Sequence, residues 1–388
     1  MVTVNAFPIA FELLGRDERT MARRGRLATR HVVVETPAFM PVGTQATVKT
    51  LRPEEVWDTG ARICLANTYH LMLRPGPDII EQAGGLHRFM AWDGAILTDS
   101  GGFQLFSLAQ QTRVKEEGVT FQSHIDGSRH ELTPERSVEL QIRYGSDIAM
   151  AFDQLIGLPA KREKIAEATE RTHRWLDRCI AAHHRLGGAE RGTALFGIVQ
   201  GGMEPDLRRE SAQYVAAADV AGCAVGGLSV GEPKEVMAAM LEVVTPELPA
   251  DKPRYLMGVG APEDLWSGVA RGIDLFDCVL PTRLARNAAL FTPTGRVNLR
   301  WRRFRDDFSP VDPTCDCATC RTFSAAYLHH LFRAGEILAL RLASVHNLRF
   351  LARQMEAIRA ALDAGAFPEA MARFESQYQP VVPAGDEE

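Results

Sequence analysis

No apolar run in the 388-residue chain reaches the ~18 residues that a membrane-spanning helix needs. The opening residues, MVTVNAFPIAFELLGRDERT, lack a basic segment leading into an apolar core. No secretory signal peptide is therefore expected, and the protein is expected to be cytoplasmic. Positive charge is not in excess. Against 49 Asp and Glu there are 44 Lys and Arg, a net charge of −5, which excludes a globally basic nucleic-acid binder but leaves room for a local basic patch. Cysteine is too sparse and uneven for a disulfide framework: there are seven, an odd number, and three crowd into six residues. That pattern suits a metal site in a reducing compartment. Apolar content, by contrast, is not lacking. At 46% hydrophobic and 24% charged the chain can bury a core, and disorder is excluded.

What is present is a repeat. Short apolar runs, each ending in Gly, Asp, Asn or Pro, fall at Thr36–Val42, Arg62–Ala66, Ala95–Thr98, Ser146–Phe152, Thr193–Val199, Gly222–Val225, Arg254–Gly258 and Ile273–Phe276. Amphipathic helical patterns follow most of them, among them Ala160–Arg185, Glu204–Ala218, Glu232–Thr245 and Ala261–Arg271. Apolar strands alternating with such helices predict a parallel sheet covered by helices, and eight units over residues 36–277 match a (β/α)8 TIM barrel. Two segments break the repeat. Gly118–Leu132 alternates apolar and polar residues around Asp126-Gly127, a two-residue hairpin signal, and predicts an inserted hairpin. Val311–Arg321 carries the cysteine cluster, and Tyr327–Ala366 beyond it reads as helix almost throughout. The expected organisation is a catalytic barrel over 1–300 with N-terminal and inserted β elements, a small zinc-binding subdomain over 301–350, and C-terminal helices over 351–388 that pack back on the barrel. The tail Pro383–Glu388 is polar and expected to be disordered.

Barrel chemistry sits at the C-terminal ends of the strands. Those ends read Asn67-Thr68-Tyr69-His70, Asp99-Ser100-Gly101-Gly102, Asp153-Gln154, Gln200-Gly201-Gly202, Gly226-Gly227-Leu228, Met257-Gly258 and Asp277-Cys278. A lone Asp at such a place is as often a helix cap as a catalyst. Three at independent strand ends, each beside Gly, Gln or another polar residue, point to one mouth lined with carboxylates.

Cys315-Asp316-Cys317-Ala318-Thr319-Cys320 is a C-x-C-x2-C cluster, and tetrahedral zinc would need one further N or S ligand, with His329, His330 and His346 as candidates. Four filled positions make a zinc structural, since a catalytic zinc keeps a position open for water. Between Cys278 and Arg305 lie seven arginines and no acidic residue: Arg283, Arg286, Arg296, Arg300, Arg302, Arg303 and Arg305. Arginine grips phosphate oxygens in pairs and stacks on bases, so this stretch predicts a nucleic-acid backbone track beside the mouth rather than a solvated, salt-bridged face.

The ordered motifs Asn67-Thr-Tyr-His-Leu71, Leu97-Thr-Asp-Ser-Gly-Gly-Phe-Gln104, Gly197-Ile-Val-Gln-Gly-Gly202, Ala224-Val-Gly-Gly-Leu228, Tyr255-Leu-Met-Gly-Val-Gly260 and Phe276-Asp-Cys-Val-Leu-Pro-Thr-Arg283 resemble the tRNA-guanine transglycosylases, and the cysteine cluster resembles their zinc subdomain. The resemblance runs from about Thr36 to the C-terminal helices. It implies an irregular (β/α)8 barrel with one structural Zn2+ and, for the bacterial type, a homodimer. It implies exchange of guanine at the tRNA wobble position for a 7-deazaguanine base, on the route to queuosine. Carried onto matching residues, Asp277 is the nucleophile and Asp99 the general acid/base. Asp153, Ser100, Gln200 and Gly227 hold the purine's polar edge, Phe103 and Met257 sandwich its ring, and the Leu228 carbonyl faces the aminomethyl group. Cys315, Cys317, Cys320 and His346 bind zinc. Among the arginines, Arg283, Arg286, Arg302 and Arg303 are the expected RNA contacts.

The chemistry suits these residue types. Breaking an N-glycosidic bond builds oxocarbenium character that a carboxylate can trap, while an acid protonates the leaving base. The target base must leave its stack for a pocket with aromatic or apolar faces. After Asp153 the chain reads Gln154-Leu155-Ile156-Gly157, where typical bacterial relatives carry Glu-Cys, while Val230 matches the bacterial pattern. Leu284-Ala285-Arg286-Asn287-Ala288 also departs, from a polar residue and a Gly. The aminomethyl precursor is the expected incoming base. A non-catalytic RNA-binding subunit would have no need of both Asp277 and Asp99. A zinc-dependent barrel hydrolase would need His and Asp ligands at the strand ends, where only His70 stands.

Overall fold

The computed structural model describes residues 8–107, 110–157 and 159–380. The expected polar tail lies outside them. Strands β1 (Ala10–Arg16), β2 (Arg23–Ala28) and β3 (Val33–Thr36) form an antiparallel sheet. The chain then enters the barrel with β4 (Ala38–Gly43), β5 (Ile63–Ala66) and β6 (Ala95–Thr98). A second antiparallel sheet, β7 (Gln110–Val114), β8 (Val119–Gln122) and β9 (Arg129–Leu132), interrupts it. The barrel resumes with β10 (Ile148–Met150), β11 (Ala194–Val199), β12 (Gly222–Val225), β13 (Arg254–Leu256) and β14 (Leu275–Cys278), and the hairpin β15 (Ala289–Thr292) and β16 (Gly295–Asn298) follows. The eight barrel strands are those expected, closed in the order β10-β11-β12-β13-β14-β4-β5-β6 and parallel throughout.

Period-two alternation sorts the strand residues. Ala95 and Leu97, Phe196 and Ile198, Tyr255, and Leu275 join the interior cluster, while Ile96, Leu195, Val199, Leu256 and Phe276 pack under the helices. Continuing that alternation puts Asp99, Gln200 and Asp277 on the inner face at the mouth. The strands are buried on both faces, which is why they read as unbroken apolar runs.

The first sheet plugs the opposite end. Leu27 and Val34 join the interior cluster, and Arg23 bonds Asp274, just before β14, through Nε at 3.1 Å. Asp147, just before β10, accepts from His31 at 2.7 Å and His87 at 3.1 Å. Burial pushes that carboxyl up, but the two imidazoles outweigh it and hold it at about 2. The two imidazoles stack at 3.7 Å and 20°, each turned to one oxygen of the same carboxylate.

Local chemistry explains the helix ends. Thr133 accepts the Arg136 N–H at 3.2 Å to cap Pro134–Tyr144, and Gly145 ends that helix at φ 70, a conformation that favours glycine. The inserted turn differs from expectation: β8 and β9 are joined by residues 123–128, closed by Ser123 N–H to Ser128 O at 2.8 Å, and β7 adds a third strand. Asp126 bonds Ser128 and so builds an Asx-type loop in place of a two-residue turn. The expected helix Tyr327–Ala366 is two helices, Ala325–Ala334 and Ile337–Asp363, because Gly335 turns left-handed at φ 76. The second of these crosses β4, where Arg359 donates to the Pro37 carbonyl at 2.7 Å. Among the described residues no helix is long and apolar enough to cross a membrane.

Candidate active site

Asp277 lies at the end of β14 and is buried. The Tyr255 hydroxyl at 2.5 Å and the Gly258 N–H at 2.8 Å both donate to its Oδ1, and among the described residues Oδ2 has no hydrogen-bond partner. Burial raises this carboxyl above its ordinary value, and the two donors offset part of that. Asp99, at the end of β6, accepts from the Thr68 N–H at 2.9 Å, the Gly101 N–H at 3.2 Å and the Asn67 amide. Burial, with the Asp277 charge adding to it, pushes Asp99 up to about 7 despite those donors. The mouth thus holds two carboxylates with raised proton affinities, one of them able to hold a proton near neutrality.

Beside them Asp153 is bracketed by the Ser100 hydroxyl at 3.2 Å and the Gln200 amide at 2.7 Å. It falls beyond the last residue of β10, so alternation alone does not place it. Burial raises it, against those two hydrogen bonds. Gln200 lies flat on Gly226-Gly227: a Cβ on Gly227 would stand 2.4 Å from its Oε1, and the Gly227 φ of +65 also favours glycine. Phe103 is 54% exposed, an uncovered aromatic face at the mouth, and Met257 is half-buried. Glu232 accepts from the Ser229 N–H, and from the Val230 N–H at 2.9 Å. A trans peptide then points the Leu228 carbonyl the opposite way. Leu228 is buried, Val230 and Leu155 half-buried.

Sequence reasoning assigned no role to Tyr255, Gln104 or Glu232. Tyr255 carried a usable signal, an aromatic with a polar tip on the inner face two residues before the mouth. Gln104 stands beside Asp99, and its Oε1 is buried without a partner among the described residues. Nothing in spacing announced Glu232, which acts through backbone N–H groups.

Arg283 and Arg286 lie on the helix Leu280–Arg286, directly after Asp277; Arg283 is exposed and Arg286 half-buried. Arg302 and Arg303 are exposed on a short 3-10 turn, where Arg303 stacks 4.6 Å from the Trp301 ring and 4.9 Å from Phe304. Among the described residues, none of the seven arginines from 283 to 305 is ion-paired, whereas Arg162, Arg171, Arg174, Arg178 and Arg349 all are. The salt-bridged-face reading therefore has no support here.

Cys315, Cys317, Cys320 and His346 are buried with their ligand atoms within 4.8 Å of one another. His346 Nδ1 is 3.2 Å from the Cys320 sulfur and 3.8 Å from that of Cys317, bracketing the ~3.5 Å edge of a tetrahedron with Zn–S near 2.3 Å and Zn–N near 2.0 Å. Its Nε2 donates to the Phe291 carbonyl at 2.7 Å, which fixes the tautomer that turns Nδ1 to the sulfurs. The donor set fits a metal ion with every position filled. Of the other candidates, His329 bonds the Leu299 carbonyl at 2.7 Å and His330 is exposed.

A closed parallel barrel with paired carboxylates at its mouth and a four-ligand cluster beside it defines a (β/α)8 enzyme of the glycosyl-transferring kind. The family model for queuine tRNA-ribosyltransferase matches residues 17–380. Proteins of that name from Symbiobacterium thermophilum and Herpetosiphon aurantiacus are similar, at 59% identity (93% of this chain, 89% of the relative) and 57% (93% and 91%). One from Moorella thermoacetica is 55% identical over 95% of this chain and 98% of its own. The chain belongs to the queuine tRNA-ribosyltransferase family and is an enzyme of the tRNA-guanine transglycosylase type.

Proposed function

We propose that this enzyme exchanges guanine at the anticodon wobble position of tRNA for 7-aminomethyl-7-deazaguanine through a covalent link to Asp277. The observation that carries this reading is the pair of buried mouth carboxylates, with Asp277 Oδ2 unpartnered among the described residues and Asp99 near 7. Oδ2 attacks the ribose anomeric carbon as the glycosidic bond breaks, and the bond's electron pair leaves with guanine. Asp99 gives that base a proton. The incoming base then loses its ring N–H proton to Asp99 and attacks the same carbon, releasing Asp277. Asp153, Ser100, Gln200 and Gly227 hold the purine edge, with Phe103 and Met257 on its faces. Burial of the site keeps water from the intermediate, so exchange outruns hydrolysis.

Zn2+ is the ion that the three thiolates and His346 would hold, one per chain, with a structural role. The working form is a homodimer, and the compartment is the cytoplasm. RNA lies along Arg283, Arg286, Arg302 and Arg303, whose charges no carboxylate among the described residues pairs. Replacing Arg302 and Arg303 together by Gln is expected to weaken tRNA binding and flatten its salt dependence by about one unit of log–log slope per lost contact. Titrations at several salt concentrations read this directly, and an unchanged slope would return the stretch to a solvated surface.

The incoming base is tested by competition. The small cationic aminomethyl group wants an acceptor, and the Leu228 carbonyl, turned by Glu232, is one. Queuine carries a bulky ring that the β-branched Val230 obstructs. A clash of that kind is worth about 1–3 kcal/mol, a preference of roughly ten- to a hundredfold for the aminomethyl base. Val230→Gly is expected to narrow it. Incorporation of guanine, the aminomethyl base and queuine into tRNA, measured side by side, decides the matter, and a wild-type preference for queuine would assign control of the pocket to Leu155.

A further inference from the structure

Phe103 and Phe106 are both 54% exposed and stand three residues apart on the helix Gly102–Ser107. Residues at that spacing share a helix face, with Cβ atoms about 5–6 Å apart. Among the described residues no other ring stacks on either, whereas Phe121 lies against His130 and Phe152 against Trp175. Phe103 has a part in base exchange as proposed above. Phe106 has none.

This helix runs along the loop that follows β10. At its start, a Cβ on Gly102 would stand 2.9 Å from the Asp153 carbonyl oxygen. At its end, a Cβ on Gly157 would stand 2.7 Å from Phe106 Cζ. The Phe106 ring therefore rests on bare backbone, and a side chain at Gly157 would push it away. The loop beneath is tied down. Its Gln154 N–H donates to the Thr172 hydroxyl at 3.0 Å, and Gln154 Oε1 accepts from Arg171 at 2.7 Å. The helix is tied as well, by the Thr112 hydroxyl, which donates to the Leu105 carbonyl at 3.1 Å. A ring supported from below and open above is a preformed surface, so little ordering cost falls on whatever stacks there.

We infer that Phe106 is a second stacking platform, which receives the base of a nucleotide next to the wobble position while the wobble base occupies the cavity. The inference rests on the base-exchange reading of that cavity. Extruding one base from an anticodon loop breaks the stacks on both of its sides and leaves a neighbour with a bare face. Aromatic side chains cover such faces in unpaired RNA, and every base has a π-face, so the contact is tolerant of sequence. Position selects the neighbour. Phe103 stands at the Asp153 end of the helix, where the purine edge is held, and Phe106 stands about one turn further along, over Gly157. The spacing of the two residues, about 5–6 Å, exceeds the roughly 3.4 Å between successive stacked bases of one strand. The two rings therefore suit bases that have been pulled apart, as they are once the wobble base has left its stack.

The test is a binding cycle with three anticodon stem-loop RNAs: the parent, one abasic at the nucleotide 5′ of the wobble position, and one abasic 3′ of it. Dissociation constants are measured for the unaltered protein, Phe106→Ala and Phe106→Leu, with thermal melting to follow folding. Phe106→Ala is expected to bind the parent RNA about ten- to a hundredfold more weakly, the scale of one base–aromatic stack. Against one of the two abasic RNAs that loss should shrink to no more than about threefold, because the partner of the ring is already gone. Equal losses for all three RNAs, or none for the parent, overturn the inference. Phe106→Leu still covers Gly157 but offers no π-face, and carries the same comparison if the Ala variant does not fold. Free guanine gives an independent reading: its affinity should change by no more than about threefold in Phe106→Ala, and a loss as large as that for RNA would place the ring in the base cavity and overturn the inference. Failure of the unaltered protein to bind the parent RNA overturns the base-exchange reading itself, and with it the role of Phe106.

Discussion

Asp277→Asn is expected to yield no covalent enzyme–RNA adduct on denaturing gels and to lower base exchange by more than about ten-thousandfold, the scale on which removal of a nucleophile is felt. The amide is nearly isosteric, so Tyr255 and Gly258 remain in place and folding should be spared. In the proposed mechanism the same residue sets the acid side of the pH profile. Its proton affinity is raised by burial, so exchange should fall, with decreasing pH, earlier than an ordinary carboxylate would dictate, because the protonated form does not attack. In the same mechanism Asp99, pushed up to about 7, holds the proton for departing guanine and takes one from the incoming base, so Asp99→Asn should remove the limb near neutrality. An adduct of normal yield in Asp277→Asn would move the nucleophile elsewhere, with Asp99 the next carboxylate in reach.

The metal cluster is expected to give the largest effect on stability. Structural zinc sites contribute apparent binding energies of about 10–16 kcal/mol, and where the site forms only on folding that energy belongs to folding. Chelation, or Cys317→Ser, should therefore lower the melting temperature and disorder the region after Val311. The damage should spread further, because His346 sits on the helix Ile337–Asp363, whose Leu348, Leu351, Met355 and Ile358 complete the layer packed on the barrel. Metal analysis and hydrogen exchange across residues 311–363 check this. Well-folded, active protein with less than one zinc per chain would overturn it.

The eight strands were legible because parallel strands buried on both faces are written as short apolar runs between turn residues, and each sat within two or three residues of its expected limits. The ligand His346 was not separable from His329 and His330 by spacing alone; the fold separates them, by bringing the long helix back over the cysteines. The break at Gly335 and the six-residue loop after β8 were hidden for a common reason. Each is decided by local backbone hydrogen bonds that residue type only weakly biases. Asp99, Gln200 and Asp277 could be placed by alternation; Asp153 could not, since β10 ends three residues before it.

Closure of the barrel joins its last strand, β14, to its first, β4, and the helix ending at Asp363 then seals that seam. For a chain emerging from a ribosome at about 5–20 residues per second, β4 waits roughly 15–60 s before the helix that covers it exists. Until β14 emerges, roughly 12–47 s after β4, the backbone edge of β4 that β14 will pair is open. The nascent protein is therefore a natural client for whatever shields exposed strands during synthesis, and a ribosome stalled before β14 is made would release a barrel that cannot close.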